Sequence, residues 1–132
     1  MGSQMTKKRR AAFTLAEMIV VLIILSVIAA VALPKYNATI EKFRAAEGEQ
    51  ILLAIFGAQK RFALDNGGSY TNTLSQLDIE FRPSSNFGSP AVSSASPIAQ
   101  ITRTGSYTLQ LSDTGAITCT GGASGLCARL GY

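Results

Sequence analysis

With 132 residues the chain has room for one small domain and an appendage. Its net charge of +4 belongs to the run Lys7-Lys8-Arg9-Arg10, because without those four the remaining eight basic residues face eight acids. A neutral remainder gives no footprint for nucleic acid, and the absence of any histidine removes the commonest general base and metal ligand.

The first twelve residues are short, basic and without periodicity. Their opening, MGSQMT, fits a loose myristoylation pattern, but a chain with a spanning helix needs no acyl anchor. Met5 is an equal candidate for the native start and would leave the leader MTKKRRAA.

Phe13 to Leu33 reads FTLAEMIVVLIILSVIAAVAL, with one acid, Glu17, and no basic residue. As a helix this run covers roughly 31 Å, the thickness of a bilayer's hydrocarbon core. The basic run before it keeps that end cytoplasmic and sends the rest across, so a single-pass inner-membrane precursor with its C-terminal part outside is expected. Glu17 is the anomaly. A carboxylate in lipid costs at least about 2.5 kcal/mol, which marks it as functional, unless it reaches back to the headgroups from its place near the end of the run.

A secretory signal peptide competes for the same residues. Lys7 to Arg10 would be its basic region, Met18 to Ile28 its apolar region, and Ala30-Val31-Ala32 its cleavage site. That reading gives a small secreted binding protein starting at Leu33, and leaves Glu17 without a purpose.

The residues Ala11-Ala12-Phe13-Thr14-Leu15-Ala16-Glu17, preceded by the basic leader and followed by the apolar run, resemble the type IV pilin family. The resemblance implies cleavage by a prepilin peptidase between Ala12 and Phe13, and methylation of the new Phe13 amine. It also implies that Glu17, fifth in the mature chain, pairs with a neighbour's Phe13 amine to drive assembly, and that Pro34, twenty-second, kinks the helix. The implied partners are membrane lipid before assembly, the peptidase, an inner-membrane assembly platform and further copies of the chain. Two positions depart from the family pattern: Ala12 stands where glycine is usual, and Ser26 replaces a glycine within the helix, where it serves as a packing residue or a hinge.

From Lys35 to Asn66 a helical pattern continues. Ile51, Ile55, Ala58 and Phe62, widened by Leu52, Phe56 and Ala63, form an apolar face, with Glu47, Glu49, Lys60 and Arg61 opposite. Pro34 bends this helix away from its membrane half, Gly48 and Gly57 soften it, and Asn66-Gly67-Gly68 ends it with a left-handed cap. Gly67 to Pro97 is a connector rich in serine, glycine and proline. Asp65 to Ile79, which runs into it, again resembles the pilin pattern of helix, G-x-Y and a short L-x-x-L turn. Pro83 to Pro97 has no periodicity and reads as a surface loop, either plain or receptor-facing.

Three antiparallel strands are predicted at 98–103, 106–112 and 116–120, with Asp113-Thr114-Gly115 as the hairpin turn. The fold class is therefore α+β: a long N-terminal helix packed on a small antiparallel sheet of about three strands. The segments are a leader 1–12, an assembly helix 13–34, a head helix 35–66 and a region 67–132 of connector, sheet and C-terminal loop. Cys119 and Cys127 fall on the oxidising side, where a disulfide is expected. By loop entropy it contributes on the order of 2–3 kcal/mol, a useful share in so small a core. Pilins carry a similar C-terminal loop on the filament surface, so it is a staple or a contact.

No catalytic set, metal-ligand cluster or phosphate-binding loop is present, so no enzyme activity, cofactor or metal is expected. The major pseudopilin of type II secretion, which this chain also resembles, holds calcium in its C-terminal region. Calcium takes six or more oxygens, yet after Glu80 the only acid is Asp113. The expected function is a structural subunit of a type IV pilus-like filament, with a type II secretion pseudopilin as the alternative.

Overall fold

The computed structural model describes residues 13–132. Helix α1 runs from Leu15 to Asp65, through Pro34 without a break in its helical assignment. A 3-10 turn at Leu74–Gln76 follows, on the L-x-x-L of the connector. Then come strands β1 (Ala91–Val92), β2 (Ala99–Thr102), β3 (Tyr107–Leu111) and β4 (Ile117–Gly121), and a short helix α2 (Leu126–Leu130). The chain divides into two units at Asn37 and Ala38.

Described by itself, the N-terminal unit is a bare helix. None of its described residues is buried. The second unit is an α+β head. Its four strands form an antiparallel meander in the order β1-β2-β3-β4. Register follows the pleat: Ile101 lies opposite Leu109, and Leu109 opposite Cys119. Ala99, Ile101, Tyr107, Leu109 and Leu111 therefore share one face and are buried, while Gln100 and Thr102 point away.

Against this face lies the head part of α1, with Leu52 and Ile55 fully enclosed. The buried line is Ala45, Gly48, Leu52, Ile55, Gln59 and Ala63, with Ala58 beside it. It is rotated from the predicted stripe: Ile51 and Phe62 flank the core half-buried instead of centring it. Apolarity alone misplaces the centre because two positions on the true line are a glycine and a glutamine. Gly48 has a packing role that its reading as a softening residue left out. A Cβ there would sit 2.7 Å from Phe87 Cζ and 2.9 Å from Leu109 Cδ1, so its lack of a side chain sets how closely helix and sheet approach. Phe87 in turn meets Tyr107 edge-on, ring centroids 6.4 Å apart.

Gln59 is buried and works as a clamp. Its amide donates to Thr71 O at 2.8 Å and its carbonyl accepts from Thr71 N at 3.0 Å, which satisfies an extended backbone that no strand pairs. The charges predicted to lie on a solvated face are also tied down. Glu47 accepts from Ser84 Oγ and, at 2.8 Å, from Asn86 Nδ2. Glu49 accepts from the Tyr132 hydroxyl. Arg61 pairs with Asp78 through two short bonds, and Lys60 reaches Tyr70 and Asp113.

Two further corrections concern the C-terminal half. The stretch Pro83–Pro97 is not only a surface loop, because it supplies β1 and the buried Phe87 and Pro90. A two-residue strand is too short to show alternation; Val92 pairs with Ala99, and Ser93 N donates to Ile98 O at 2.9 Å. The C-terminal loop contains a helix, α2, which the sequence reading left out. At the predicted turns the glycines take their expected geometry. Gly67 and Gly68 have φ of 65° and 88°, with Gly68 N bonded to Ala63 O at 2.7 Å, and Gly115 has φ 89° in the β3–β4 hairpin.

Candidate functional site

The site begins where α1 begins. Thr14 precedes the first helical residue and Glu17 is the third residue of the helix. Such a start leaves backbone N–H groups without intrahelical acceptors, and Thr-x-x-Glu answers this reciprocally. Glu17 N donates to Thr14 Oγ1 at 3.2 Å, while Glu17 Oε2 accepts from Thr14 N at 2.8 Å and from Thr14 Oγ1 at 2.9 Å. Among the described residues, both bonds to the carboxylate come from Thr14 and fall on Oε2. Sequence reasoning singled out Glu17 but missed Thr14, although the spacing of a threonine and a glutamate before an apolar run is a recognised signature of a helix start.

Around this capped carboxylate the surface is apolar. A hollow of about 420 Å³ is lined by Phe13, Ala16, Met18, Val20 and Val21, with Glu17 the one acid in it. Phe13 is 78% exposed. Ala12, and with it the predicted cut and the basic run, lies outside the described residues. Further along, Ser26 Oγ donates to Ile23 O at 2.7 Å, so its hydroxyl is satisfied within its own helix. Pro34 lies inside α1 and brings no N–H to the ladder. By length and composition α1 is apolar enough to cross a membrane, with a mean hydropathy of 2.8 in its most apolar window.

The head offers a different kind of surface. Cys119 and Cys127 are bonded with their Cα atoms 5.5 Å apart, which ties α2 back to β4. Beyond α2, the Tyr132 hydroxyl donates to Glu49 on α1; burial, with that carboxylate, pushes the hydroxyl well above its ordinary value. A groove of about 590 Å³ lies between α1 and residues 79–84, floored by Ile51, Ile55, Ile79 and Phe81. Glu47 at its edge is held below the usual carboxylate range by its bonds from Ser84 and Asn86. Among the described residues no group of three His, Cys, Asp or Glu side chains is placed to hold a metal.

The chemistry of the N-terminal site is thus confined to charge and apolar contact. Residues 7–33, about a fifth of the chain, match the family model for the prokaryotic N-terminal methylation motif, the prepilin-type signature of type IV pilins and pseudopilins. No curated protein and no solved structure matches the chain.

Proposed function

We propose that this chain, bearing the prepilin signature, is a structural subunit of a type IV pilus-like filament, held in the inner membrane until it polymerises. A prepilin peptidase cuts between Ala12 and Phe13, and the new amine of Phe13 is methylated. The head stands outside the cytoplasm, and an assembly platform in the membrane moves the subunit from lipid into the fibre. Pro34 supplies the kink between the membrane half of the helix and the head. Cys119 and Cys127 close the C-terminal loop on the head.

One observation carries this reading. The apolar N-terminal part of α1, none of whose described residues is buried, presents a single acid one turn from the cut, oriented by Thr14 through one of its oxygens. After cleavage each subunit carries a positive amine and a negative carboxylate at the same end. In a stack, Glu17 Oε1, which takes no part in the Thr14 cap, accepts the amine of the next subunit without breaking that cap. A mispaired charge in that dry setting costs several kcal/mol, so the pair fixes register as well as attraction. The helices bury one another's side chains, and protein replaces lipid with no surface newly exposed to water.

The scarcity of acids after Glu80 and the closed Cys119–Cys127 loop favour a pilus subunit over a calcium-holding type II secretion pseudopilin. N-terminal sequencing of the mature protein gives methylated Phe13; a start at Leu33 would mean a removed signal peptide and end the proposal. Glu17→Val leaves processing intact and abolishes incorporation into filaments. Normal filaments from that variant would remove the charge pair from the mechanism.

A further inference from the structure

Asn66 and Gly67 end α1, and they meet there as no other asparagine in the chain meets its neighbour. The chain has four asparagines, at 37, 66, 72 and 86. An asparagine reacts with its own backbone when the next N–H is unengaged, the next residue leaves room for a ring, and the amide is open to water. Asn66 and Gly67 are both exposed. Gly67 stands at φ 65°, and a Cβ built on it would meet nothing within 4 Å. The cap bonds run past it. Asn66 N donates to Ala63 O at 3.3 Å and Gly68 N to the same oxygen at 2.7 Å, while among the described residues the Gly67 N–H has no acceptor. One bond holds the Asn66 side chain, Nδ2 donating to Phe62 O at 2.8 Å on an exposed surface.

The other asparagines each fail a condition. Asn37 lies inside α1, where the helical ladder engages the next N–H. Asn72 is exposed, but Thr73 is β-branched and its N–H donates to Thr71 Oγ1 at 3.0 Å. Asn86 is half-buried, donates to Glu47 Oε2 at 2.8 Å and precedes the buried Phe87.

We infer that Asn66 is a site of spontaneous deamidation, which turns the neutral cap of α1 into an anionic one. The Gly67 nitrogen attacks Asn66 Cγ and forms an N–Cγ bond. The Cγ–Nδ2 bond breaks, and Nδ2 leaves as ammonia with the proton that Gly67 gives up. Water then opens the five-membered imide. Cleavage of the new N–Cγ bond gives aspartate; cleavage at the main-chain carbonyl gives isoaspartate, whose backbone runs through the former side chain. Nothing is oxidised or reduced. Either product loses the donor to Phe62 O and sets a carboxylate beside Asp65, at the end of the helix where the dipole is already negative. The last turn of α1 is loosened as a result.

Full-length protein in detergent micelles is incubated in mildly alkaline buffer, folded and in guanidinium, and each asparagine is followed by peptide mass spectrometry. In the folded chain Asn66 is expected to convert ahead of Asn37, Asn72 and Asn86, yielding the aspartate and isoaspartate pair. Folding is expected to slow Asn66 by no more than about tenfold, the hold that its one bond to Phe62 O exerts. Greater protection, or conversion of Asn72 as fast as Asn66 in the folded chain, would overturn the inference. Asn66→Gln is expected to abolish the product, and a mass gain that persists in that variant would place the chemistry elsewhere and overturn it too. Asn66→Asp carries the product's charge from the outset and is expected to quicken amide exchange in the last turn of α1 with the sheet unaffected. Exchange as slow as in the wild type would overturn the loosening.

Discussion

On one continuous helix, large apolar side chains from Phe13 to Leu33 are 44–78% exposed, whereas Leu52 and Ile55 are 0% and 1% exposed. Among the described residues the first set has no cover, and the second is closed in by a four-stranded sheet that the same chain supplies. Hydrophobicity is therefore used twice in different ways. In the head it is spent within the molecule and gives stability; in the described N-terminal helix it is left exposed, a surface of the kind that meets a membrane or another protein. The polar groups follow the same division. Glu41, Glu47 and Glu49 are bound to partners distant in sequence within the head, while Glu17 bonds Thr14, three residues away in its own first turn.

Substitutions that separate the two regimes sharpen this contrast. The largest effect is expected from Leu52→Ala, which empties a fully enclosed site and costs about 2–5 kcal/mol of head stability by denaturant titration. Val27→Ala, equally apolar, leaves that titration unchanged; a matching loss would mean that the exposed helix does contribute to the fold. Cys127→Ser opens the ring and costs on the order of 2–3 kcal/mol in thermal unfolding, with membrane insertion unaffected. Thr14→Ala removes the cap and costs about 1 kcal/mol locally. Amide exchange quickens in the first turn of α1 while the head retains its protection, and uniform acceleration would break the independence of the two ends.

The smallest effect at neutral pH is expected from Tyr107→Phe. The Tyr107 hydroxyl is buried and finds no hydrogen-bond partner among the described residues. Burial, with the nearby negative charge of Glu41, pushes it up to about 12 from an ordinary value of 10.0. A group whose folded value is raised stabilises the fold below the unfolded value, and that contribution is lost as pH climbs from about 10 to 12. The wild-type head therefore loses stability across this window, and Tyr107→Phe loses less. Identical alkaline titrations would show that the hydroxyl is not sensed.

The acid limb runs the other way. Bonds from Ser84 and Asn86 hold Glu47 below its ordinary 4.5, so its contribution is present above that value and fades as pH falls beneath it.

How much of this was legible follows from where information is local. The apolar run, the left-handed glycines after α1 and the β3–β4 hairpin are each written in a few adjacent residues, and each is readable. Gln59 and Gly48 are not, since what makes them core residues is Thr71, Phe87 and Leu109, all distant in sequence. β1 escaped notice because two residues cannot display a period, and α2 because five residues between glycines look like the rest of a loop. At the functional end the error was one of attention. Glu17 was read as a charge in lipid, which hid its local role as half of a cap whose other half was three residues away.

The first buried residue of α1 is Ala45, well past Leu33. Head and anchor thus share a backbone without sharing a single enclosed side chain among the described residues. Mutations can accumulate on either side of that boundary under separate constraints. A recombination event that splices the front half onto an unrelated globule would disturb neither, provided the incoming piece brought its own stretch of helix to finish its core.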